Sequence, residues 1–241
     1  MFNPTPTSFR SWLTVVGALV MTLDAEALNP GFNYDETKVP EYVLPDPLVT
    51  AARESVQTAA AWQHHRRGEI WALFADHVYG RVPSAKVDVK FEVLETADDA
   101  LDGTATRKQV RAHFTGNGQH AAMDILIYLP QEAAHPVPLF VGLNFNGNHT
   151  VSDDPAILLN ENWMRKGANP GVVDHRANAS SRGTSNHRWA ISTILARGYG
   201  VATIYCGDID PDFDDGFQNG VHPLFYREGQ THPDAHEWGT I

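Results

Sequence analysis

Residues 138–143 read Pro-Leu-Phe-Val-Gly-Leu and residues 200–206 read Gly-Val-Ala-Thr-Ile-Tyr-Cys, and these two stretches decide the fold. Neither stretch alternates between apolar and polar residues, as a strand with one wet face does. Continuously apolar strands are typical of parallel sheets that helices cover on both faces. The two stretches therefore predict neighbouring parallel strands in the middle of an α/β sheet.

The segment between these stretches contains a predicted connecting helix. It runs from near Ser185 to just before Gly198, with apolar residues at helical spacing at Trp189, Ile191, Ile194 and Leu195. Strand, helix and strand together predict a right-handed crossover, the hand that nearly all parallel neighbours share. Residues 145–182 are too many for an ordinary connection, so we expect a functional loop or an additional short element there.

Before residue 130, apolar residues recur at every second position. Residues 87–93 alternate Val, Val, Phe and Val with charged residues, which predicts a strand with one solvent-exposed face. Residues 110–114 repeat the pattern, Gly116-Asn117-Gly118 has turn chemistry, and residues 123–129 form a third run. An antiparallel meander is the simplest way to join the three strands.

Helical patterns precede these strands. Asp46-Pro47 matches a helix N-cap followed by proline at the first helical position. Apolar residues recur at helical spacing over 48–62 and, after Gly68, over 70–78. We therefore expect two helices, or one broken helix, beginning at Pro47.

Composition excludes several classes of function. The 241 residues are 42% apolar and 20% charged, which suits a globular domain with a sizeable core. A net charge of -11 argues against a nucleic-acid partner, and the short cluster Arg66-Arg67 is expected on a solvated helix face. Cys206 is the single cysteine, which excludes an internal disulfide and a zinc site built from several thiolates. Asn148-His149-Thr150 and Asn178-Ala179-Ser180 match the glycosylation acceptor pattern and matter only in a host that glycosylates.

The amino terminus predicts export. Arg10 precedes an apolar run over 12–23, and Ala25-Glu26-Ala27 matches a small-x-small cleavage site. The run is well short of the roughly 20 residues that span a bilayer. We expect a signal peptide at 1–27, one domain at 28–241, a secreted or periplasmic protein, and no membrane attachment after cleavage.

Short runs spread over most of residues 33–241 carry a family resemblance. They are Asn33-Tyr34-Asp35-Glu36, Leu44-Pro45-Asp46-Pro47, Trp62, Arg66-Arg67-x-Glu69-Ile70, Leu73-Phe74, Tyr79-Gly80-Arg81, Leu143-Asn144-Phe145-Asn146-Gly147-Asn148-His149, Arg188-Trp189, Arg197-Gly198-Tyr199-Gly200, Gly207-Asp208-Ile209-Asp210-Pro211-Asp212 and Trp238-Gly239-Thr240-Ile241. In order and spacing they resemble the glucuronoyl esterase family of carbohydrate esterases, which cleave esters between lignin alcohols and the 4-O-methyl-glucuronic acid groups of xylan.

The resemblance implies an α/β-hydrolase-type sheet in a three-layer αβα arrangement, with amino-terminal antiparallel strands followed by the first parallel strands. It also implies a serine nucleophile in a Gly-x-Ser-Arg-x-Gly elbow after the next strand, with an acid and a histidine later, and no cofactor or metal. No Gly-x-Ser-x-Gly occurs in this sequence. We therefore predict an incomplete sheet that stops before the elbow, with nucleophile, acid and base beyond Ile241.

The loop after the first parallel strand is the best candidate for an active-site wall. α/β-Hydrolases place one side of the oxyanion hole there, and ligands favour the carboxyl ends of parallel strands. Gly147 permits close backbone approach, and Asn146 and Asn148 offer side-chain donors. The candidate wall is thus Phe145, Asn146, Gly147 and Asn148. The alternative is a turn whose Asn side chains bond their own backbone.

Two other patterns suggest chemistry less directly. Gly183-Thr184-Ser185-Asn186-His187 brings a serine near a histidine, but we expect the Ser185 hydroxyl to cap the following helix. Asp208-x-Asp210-x-Asp212 resembles the start of a calcium loop, but Pro211 and Phe213 do not fit one, so a solvated loop is favoured over a loose oxygen-ligand site. The histidine pairs His64-His65 and His232 with His236 lack the His-Glu-x-x-His pattern of zinc hydrolases.

By resemblance, the predicted function is that of part of a secreted carboxylic ester hydrolase. Its partner is glucuronoxylan or a lignin–carbohydrate ester, attacked by serine acyl transfer, and this chain alone is expected to be inactive. Three alternatives remain open: an acetylxylan esterase, a non-catalytic carbohydrate-binding or scaffolding protein, and a metal-dependent esterase using Asp208 and nearby histidines.

Overall fold

The computed structural model describes residues 32–131, 136–167 and 170–237. The predicted signal peptide at 1–27 and the family-like run at 238–241 lie outside the described residues. The described residues divide between Asp46 and Pro47 into two compact units. In the first, a 3₁₀ turn at Glu36–Lys38 is capped by Asp35, whose carboxylate accepts a hydrogen bond from the Thr37 amide at 3.1 Å.

A five-stranded mixed sheet forms the centre of the second unit. Its strands lie in the order β1-β2-β3-β7-β4 and have the bounds β1 (Asp88–Asp99), β2 (Ala105–Gly116), β3 (Gln119–Pro130), β4 (Leu139–Asn144) and β7 (Gly200–Tyr205). The predicted meander of β1, β2 and β3 is confirmed, and Asn117 and Gly118 take positive φ angles of 48° and 69° in its second turn. β4 and β7 pair in parallel, which confirms the α/β class.

One continuous helical stretch precedes the sheet. It comprises α1 (Ala59–Ala61), a π-helical segment at Trp62–Arg66 and α2 (Arg67–His77), and Gly68 does not interrupt it. A single helical turn, α3 (Ala100–Gly103), connects β1 to β2, and another, α5 (Cys206–Ile209), follows β7. No helix among the described residues has the length and apolar character that a membrane crossing requires.

The predicted helix start at Pro47 is wrong. Residues 47–58 form turns closed by a bridge between Val49 and Ser55, and Thr58 is the N-cap of α1. The cause is tertiary, because Arg66 donates to the Pro47 carbonyl at 3.0 Å and forms an ion pair with Glu69 at 2.8 Å. Arg66 is therefore buried, and its predicted place on a solvated helix face is also wrong.

The segment between β4 and β7 contains several short elements. They are 3₁₀ turns at Asn148–Thr150, Ala179–Ser181 and Asn186–Arg188, the paired strands β5 (Val172–Val173) and β6 (Arg176–Ala177), and α4 (Ile191–Leu195). The predicted connecting helix exists but is shorter than the expected span of 185–198. Ser185 precedes the 3₁₀ turn, and its side chain does not cap it, contrary to the prediction.

The core lies on one face of the sheet. Leu126 and Tyr128 of β3 and Val201 of β7 are at most 2% exposed there. They pack against α4 and the β4–β7 segment through Val151, Ile157, Ile191 and Leu195. This packing holds the long segment close to the carboxyl ends of the parallel strands.

A buried cation also fixes the long segment to this face. Arg107 of β2 is 3% exposed and pairs with Glu95 of β1 at 2.9 Å and with Asp154 of the long segment. The hydrogen bonds from Arg107 lower the pKa of Glu95. One guanidinium therefore joins two strands and a loop that are far apart in sequence.

Of the two strands predicted to be covered on both faces, only one is buried as expected. β7 is buried along its whole length, as predicted, but Leu139, Phe140, Val141 and Leu143 of β4 are 43–65% exposed. The predicted cover on both faces of β4 is thus not found among the described residues. The reason is that few described side chains pack on its faces, and β4 also lies at an edge of the sheet with β7 as its described neighbour.

Replacement of Arg107 by Ala is expected to destabilise the fold by about 2–3 kcal/mol. The change leaves Glu95 and Asp154, which are 28% and 27% exposed, without their shared cation. Urea unfolding followed by far-UV circular dichroism measures the loss. Arg165→Ala is the matched control, because the Arg165–Asp212 pair is 63% and 57% exposed and should contribute less than about 1 kcal/mol. Equal losses for the two variants would contradict the anchoring role of Arg107.

Candidate active-site wall

The loop after β4 is closed by the side chain of its first residue. Asn144 is buried, and its Oδ1 accepts a hydrogen bond from the Asn146 amide at 2.9 Å. Its Nδ2 donates to the Gly147 carbonyl at 3.0 Å. Side-chain bonding to the loop backbone is therefore present at Asn144, and it gives residues 145–147 a fixed shape.

Gly147 is required by conformation and by space. Its φ angle is +88°, and an added Cβ would lie 2.7 Å from Cε1 of His149. His149 is fully buried, and neither ring nitrogen has a hydrogen-bond partner among the described residues. Burial, with a smaller contribution from the charge of Arg182, lowers the pKa of His149 to about 4. The ring is thus a neutral packing element behind the loop.

Asn148 joins the loop to the sheet. Its Nδ2 donates to the Asp124 carbonyl of β3 at 2.8 Å, and its Oδ1 accepts a hydrogen bond from Thr203 Oγ1 of β7 at 2.7 Å. The side chain is 7% exposed. Of the four predicted wall residues, Asn148 therefore faces the protein interior and positions the others.

Phe145 is the wall residue that opens on a cleft. Its ring is 77% exposed and lies with Leu143 along a cavity of about 710 Å³ at the carboxyl ends of β4 and β7. Asn146 lies behind it and donates through Nδ2 to Ser185 Oγ at 2.9 Å. Ligands of α/β proteins favour this end of the sheet. The predicted wall thus consists of one surface residue supported by three residues beneath it.

The opposite side of the cleft comes from the polypeptide after β7. Phe213 and Phe217 supply aromatic surface, and Asp212 accepts two hydrogen-bonded contacts from Arg165 at 2.8 and 2.9 Å. Phe213 also contacts Trp163, whose ring centroid lies 4.9 Å away. The cleft therefore combines aromatic faces with a charged rim.

Ser185 shows no sign of nucleophile activation. It is 3% exposed and its hydroxyl accepts the Asn146 hydrogen bond. No described histidine is hydrogen-bonded to it, and His187 lies in the following 3₁₀ turn. A nucleophile needs a base within hydrogen-bond reach. The arrangement gives Ser185 a supporting role in the loop.

Asp208 has a structural role beneath the cleft that the sequence did not predict. It is 5% exposed and accepts hydrogen bonds from the Asp124 amide and from the side chains of Asn160 and Asn162, at 2.8–3.0 Å. Burial raises its pKa in spite of these donors. In the sequence, the feature that could have indicated this role is the position of Asp208 just after a fully buried strand. Asp208 ties the β3 backbone to the long segment beneath the cleft.

The three aspartates of the calcium-like pattern have separate partners. Asp208 accepts amide hydrogen bonds, Asp212 pairs with Arg165, and an Asp210 oxygen lies 3.6 Å from Nε2 of His222. Within the described ranges, no three His, Cys, Asp or Glu side chains are grouped to hold a metal ion. Cys206 lines the cleft, and burial raises its pKa, so its thiol is disfavoured as a thiolate.

Comparison with known proteins gives close relatives. No family model matches the chain. A carbohydrate esterase of an unknown prokaryotic organism is 46% identical over 218 residues, which is 90% of this chain and 50% of the relative. A promiscuous CE15 esterase from a marine bacterial metagenome has a TM-score of 0.71 at 46% identity, over 87% of this chain and 52% of that one. A glucuronoyl esterase from Solibacter usitatus has a TM-score of 0.74 at 41% identity, over 85% and 51%.

The fold and the relatives of this chain indicate the same class of protein. The chain has the α/β-hydrolase-type fold of the carbohydrate esterases. Within that class its relatives support the glucuronoyl esterase family, which its sequence runs predicted. It spans about half the length of the relatives that it matches.

Gly147→Ala is expected to destabilise the protein by about 2–4 kcal/mol. The new methyl group combines the strain of a positive φ with a clash against the buried His149 ring. Gly198→Ala is the matched control, since Gly198 has a φ of +78° and nothing within 4 Å, and it should lose only about 1 kcal/mol. Thermal unfolding of both variants separates strain from clash, and equal losses would show that the clash is absent.

Stability is expected to fall in acid because of His149. Its pKa is about 4 when folded and about 6.5 when unfolded, so the unfolded chain binds the proton more tightly. The contribution is constant above about pH 6.5 and is lost as the pH falls from there to about 4, by up to about 1.4 kcal/mol per pH unit. Urea unfolding across this range should give a flatter profile for His149→Gln than for the parent chain. His65→Gln, at an exposed position, should leave the slope unchanged, and a parental slope in His149→Gln would refute a buried neutral ring.

Proposed function

We propose that this chain forms one wall of the active site of a serine-type carboxylic ester hydrolase that acts on glucuronoyl esters of xylan. The observation that carries the proposal is the fixed Asn144–His149 loop at the carboxyl ends of two parallel strands, with Phe145 exposed on a cleft. In α/β-hydrolases this position borders the oxyanion hole. Glucuronoyl esterase is also the activity by which a 41%-identical relative is known.

The chain's own residues bind and position substrate in this proposal. Phe145 and Phe213 offer faces for a sugar ring, and the Arg165–Asp212 pair offers hydrogen-bonding groups at the rim. The serine that attacks the ester carbonyl comes from the polypeptide corresponding to the half of the relatives that this chain does not match. Acyl transfer then needs that serine, its base and an oxyanion hole to meet at this cleft.

Export completes the proposed function. Xylan and its lignin esters are extracellular polymers, so an enzyme that acts on them has to leave the cytoplasm. The basic, apolar and small-x-small pattern of residues 1–27 supports a secreted or periplasmic location. Mass spectrometry of protein recovered outside the cytoplasm would reveal cleavage after Ala27, and an intact Met1 there would contradict it.

A chimera tests the catalytic proposal. Residues of this chain replace the matching half of the 46%-identical carbohydrate esterase, and we expect hydrolysis of benzyl glucuronate. In that chimera Phe145→Ala should lower kcat/KM about five- to tenfold through loss of one aromatic contact. Leu158→Ala, at a residue 42% exposed that does not line the cleft, serves as the control and should change little.

Two results would contradict this function. One is a folded chimera that hydrolyses acetylated xylan but not glucuronoyl esters, which would favour the acetylxylan esterase alternative. The other is turnover by the present chain alone that disappears in Ser185→Ala, which would place the nucleophile inside these 241 residues.

A further inference from the structure

A tryptophan behind the cleft stacks against one of the aromatic side chains that line it. The ring centroids of Trp163 and Phe213 are 4.9 Å apart, and the ring planes meet at 56°. Phe213 lines the cleft and is 46% exposed, whereas Trp163 is partly buried and does not line it. Tilted aromatic pairs at this distance attract each other. Trp163 therefore contacts the cleft through Phe213.

A second ring also packs on Trp163. The imidazole of His175 stacks on the indole, with centroids 4.8 Å apart and planes 14° from parallel. His175 Nδ1 donates to the Met164 carbonyl at 2.9 Å, and the Met164 amide donates to the His175 carbonyl at 3.0 Å. The Trp163 carbonyl accepts a hydrogen bond from the Tyr205 hydroxyl at 2.9 Å. Both the ring and the backbone of Trp163 are thus held in place.

The turn that carries His175 adopts an unfavourable backbone conformation. Asp174 and His175 join β5 to β6 with φ angles of 49° and 61°, both in the left-handed region. Hairpin turns with two positive φ angles favour Asn-Gly or Asp-Gly, so a histidine in the second position is strained. Such strain persists only where surrounding contacts hold it. Here those contacts are the stack on Trp163 and the two hydrogen bonds with Met164.

The base of the same hairpin is closely packed. Gly171 has a φ of +86°, and an added Cβ would lie 2.4 Å from the backbone nitrogen of Ser181, which is fully buried. The Asn178 amide donates to the Gly171 carbonyl at 2.9 Å. The hairpin therefore rests on the 3₁₀ turn at Ala179–Ser181 and presents His175 from a fixed base.

The other contacts near Phe213 are local or exposed. Its amide donates to the carbonyl of Pro211, two residues earlier, at 2.7 Å. The neighbouring Asp212 pairs with Arg165, but these side chains are 57% and 63% exposed, and exposed ion pairs contribute little. The stack on Trp163 is thus the contact that sets the position of the Phe213 ring.

We propose that Trp163 and His175 are positioning residues that hold Phe213 on the side of the cleft opposite Phe145. The inference rests on the proposed function and deepens it, because it adds to the substrate site two residues that touch no substrate themselves. A ring that is held in place beforehand loses little further freedom when a sugar ring packs on it. The β5–β6 hairpin is the element that provides this support.

Kinetics of the chimera test the role of Trp163. Trp163→Ala should raise KM for benzyl glucuronate about fivefold and change kcat less than about twofold, because Phe213 binds substrate and takes no part in bond breaking. Trp163→Phe keeps a stacking ring and should return KM to within about twofold of the parent value. Trp71→Ala is the matched control, since Trp71 is 62% exposed on α2 and does not line the cleft, and it should change neither constant.

Two further variants separate positioning from stability. In a Phe213→Ala chimera, adding Trp163→Ala should change KM by less than about twofold, because the ring through which Trp163 acts is already gone. His175→Gly removes the imidazole but suits the left-handed backbone, so the hairpin should remain folded while KM rises as in Trp163→Ala. A role in stability alone would leave KM unchanged in His175→Gly.

Limited proteolysis of the present chain tests the positioning without any need for activity. Chymotrypsin cleavage after Phe213, identified by mass spectrometry, should be about fivefold faster in Trp163→Ala and His175→Gly, because the segment around Phe213 opens more often. Cleavage after Phe91 is the internal reference. Phe91 is 68% exposed but lies within β1, so its rate should match that of the parent chain.

Failure of this inference and failure of the proposed function give different results. A chimera without activity on benzyl glucuronate, combined with faster cleavage after Phe213 in both variants, contradicts the proposed function and supports the positioning role. An active chimera in which both variants keep the parent KM and the parent cleavage rate supports the proposed function and overturns the inference. An equal rise in KM from Trp163→Ala with and without the Phe213 ring also overturns it.

Discussion

The rest of the site depends on the carboxamide of Asn148. It takes one hydrogen bond from β7 and gives one to β3, so the loop after β4 is held to the sheet by a single buried side chain. The loop's own bonds, from Asn144 to Gly147 and from Asn146 to Asn144, then set its shape. Phe145 is exposed on the cleft, whereas the side chains of Asn146 and Asn148 on either side of the turn are hydrogen-bonded within the protein. A buried amide with all its polar atoms bonded gives more precise positioning than an apolar contact would.

The strands were predictable from the sequence and the first helix boundary was not. The run at 200–206 is apolar except at Thr203 because β7 is buried on both faces, and the alternation at 87–93 follows from the pleat of β1. Asp46-Pro47 has the local chemistry of a helix start, but the contacts of Arg66 and Glu69 hold the next residues as turns. The apolar pattern of a strand indicates which kind of surface it can pack against, but not whether such a surface is present in the structure. For this reason the sequence predicts β4 as a central strand, whereas in the structure it lies at an edge of the sheet.

For the candidate site, the sequence predicted a loop but not how each of its residues is held. Position after a parallel strand was enough to select Phe145–Asn148. The inward direction of Asn148 depends on partners 24 and 55 residues away, which no local pattern encodes. The role of Asp208 was not predicted for the same reason, since its amide donors Asn160 and Asn162 lie 48 and 46 residues earlier in the chain. Hydrogen bonds between buried polar groups that are distant in sequence depend on the whole fold, so no single segment of the sequence predicts them.

The burial of Asn148 also restricts where this protein can be produced. Asn148-His149-Thr150 is an acceptor sequence, and a secretory pathway that transfers N-linked glycans acts on chains before they fold. A glycan on Asn148 would have to enter the interior and would displace the carboxamide from both strands, whereas Asn178 is exposed and could carry one. Eukaryotic secretion is thus a poor route to folded material, and bacterial expression avoids the conflict.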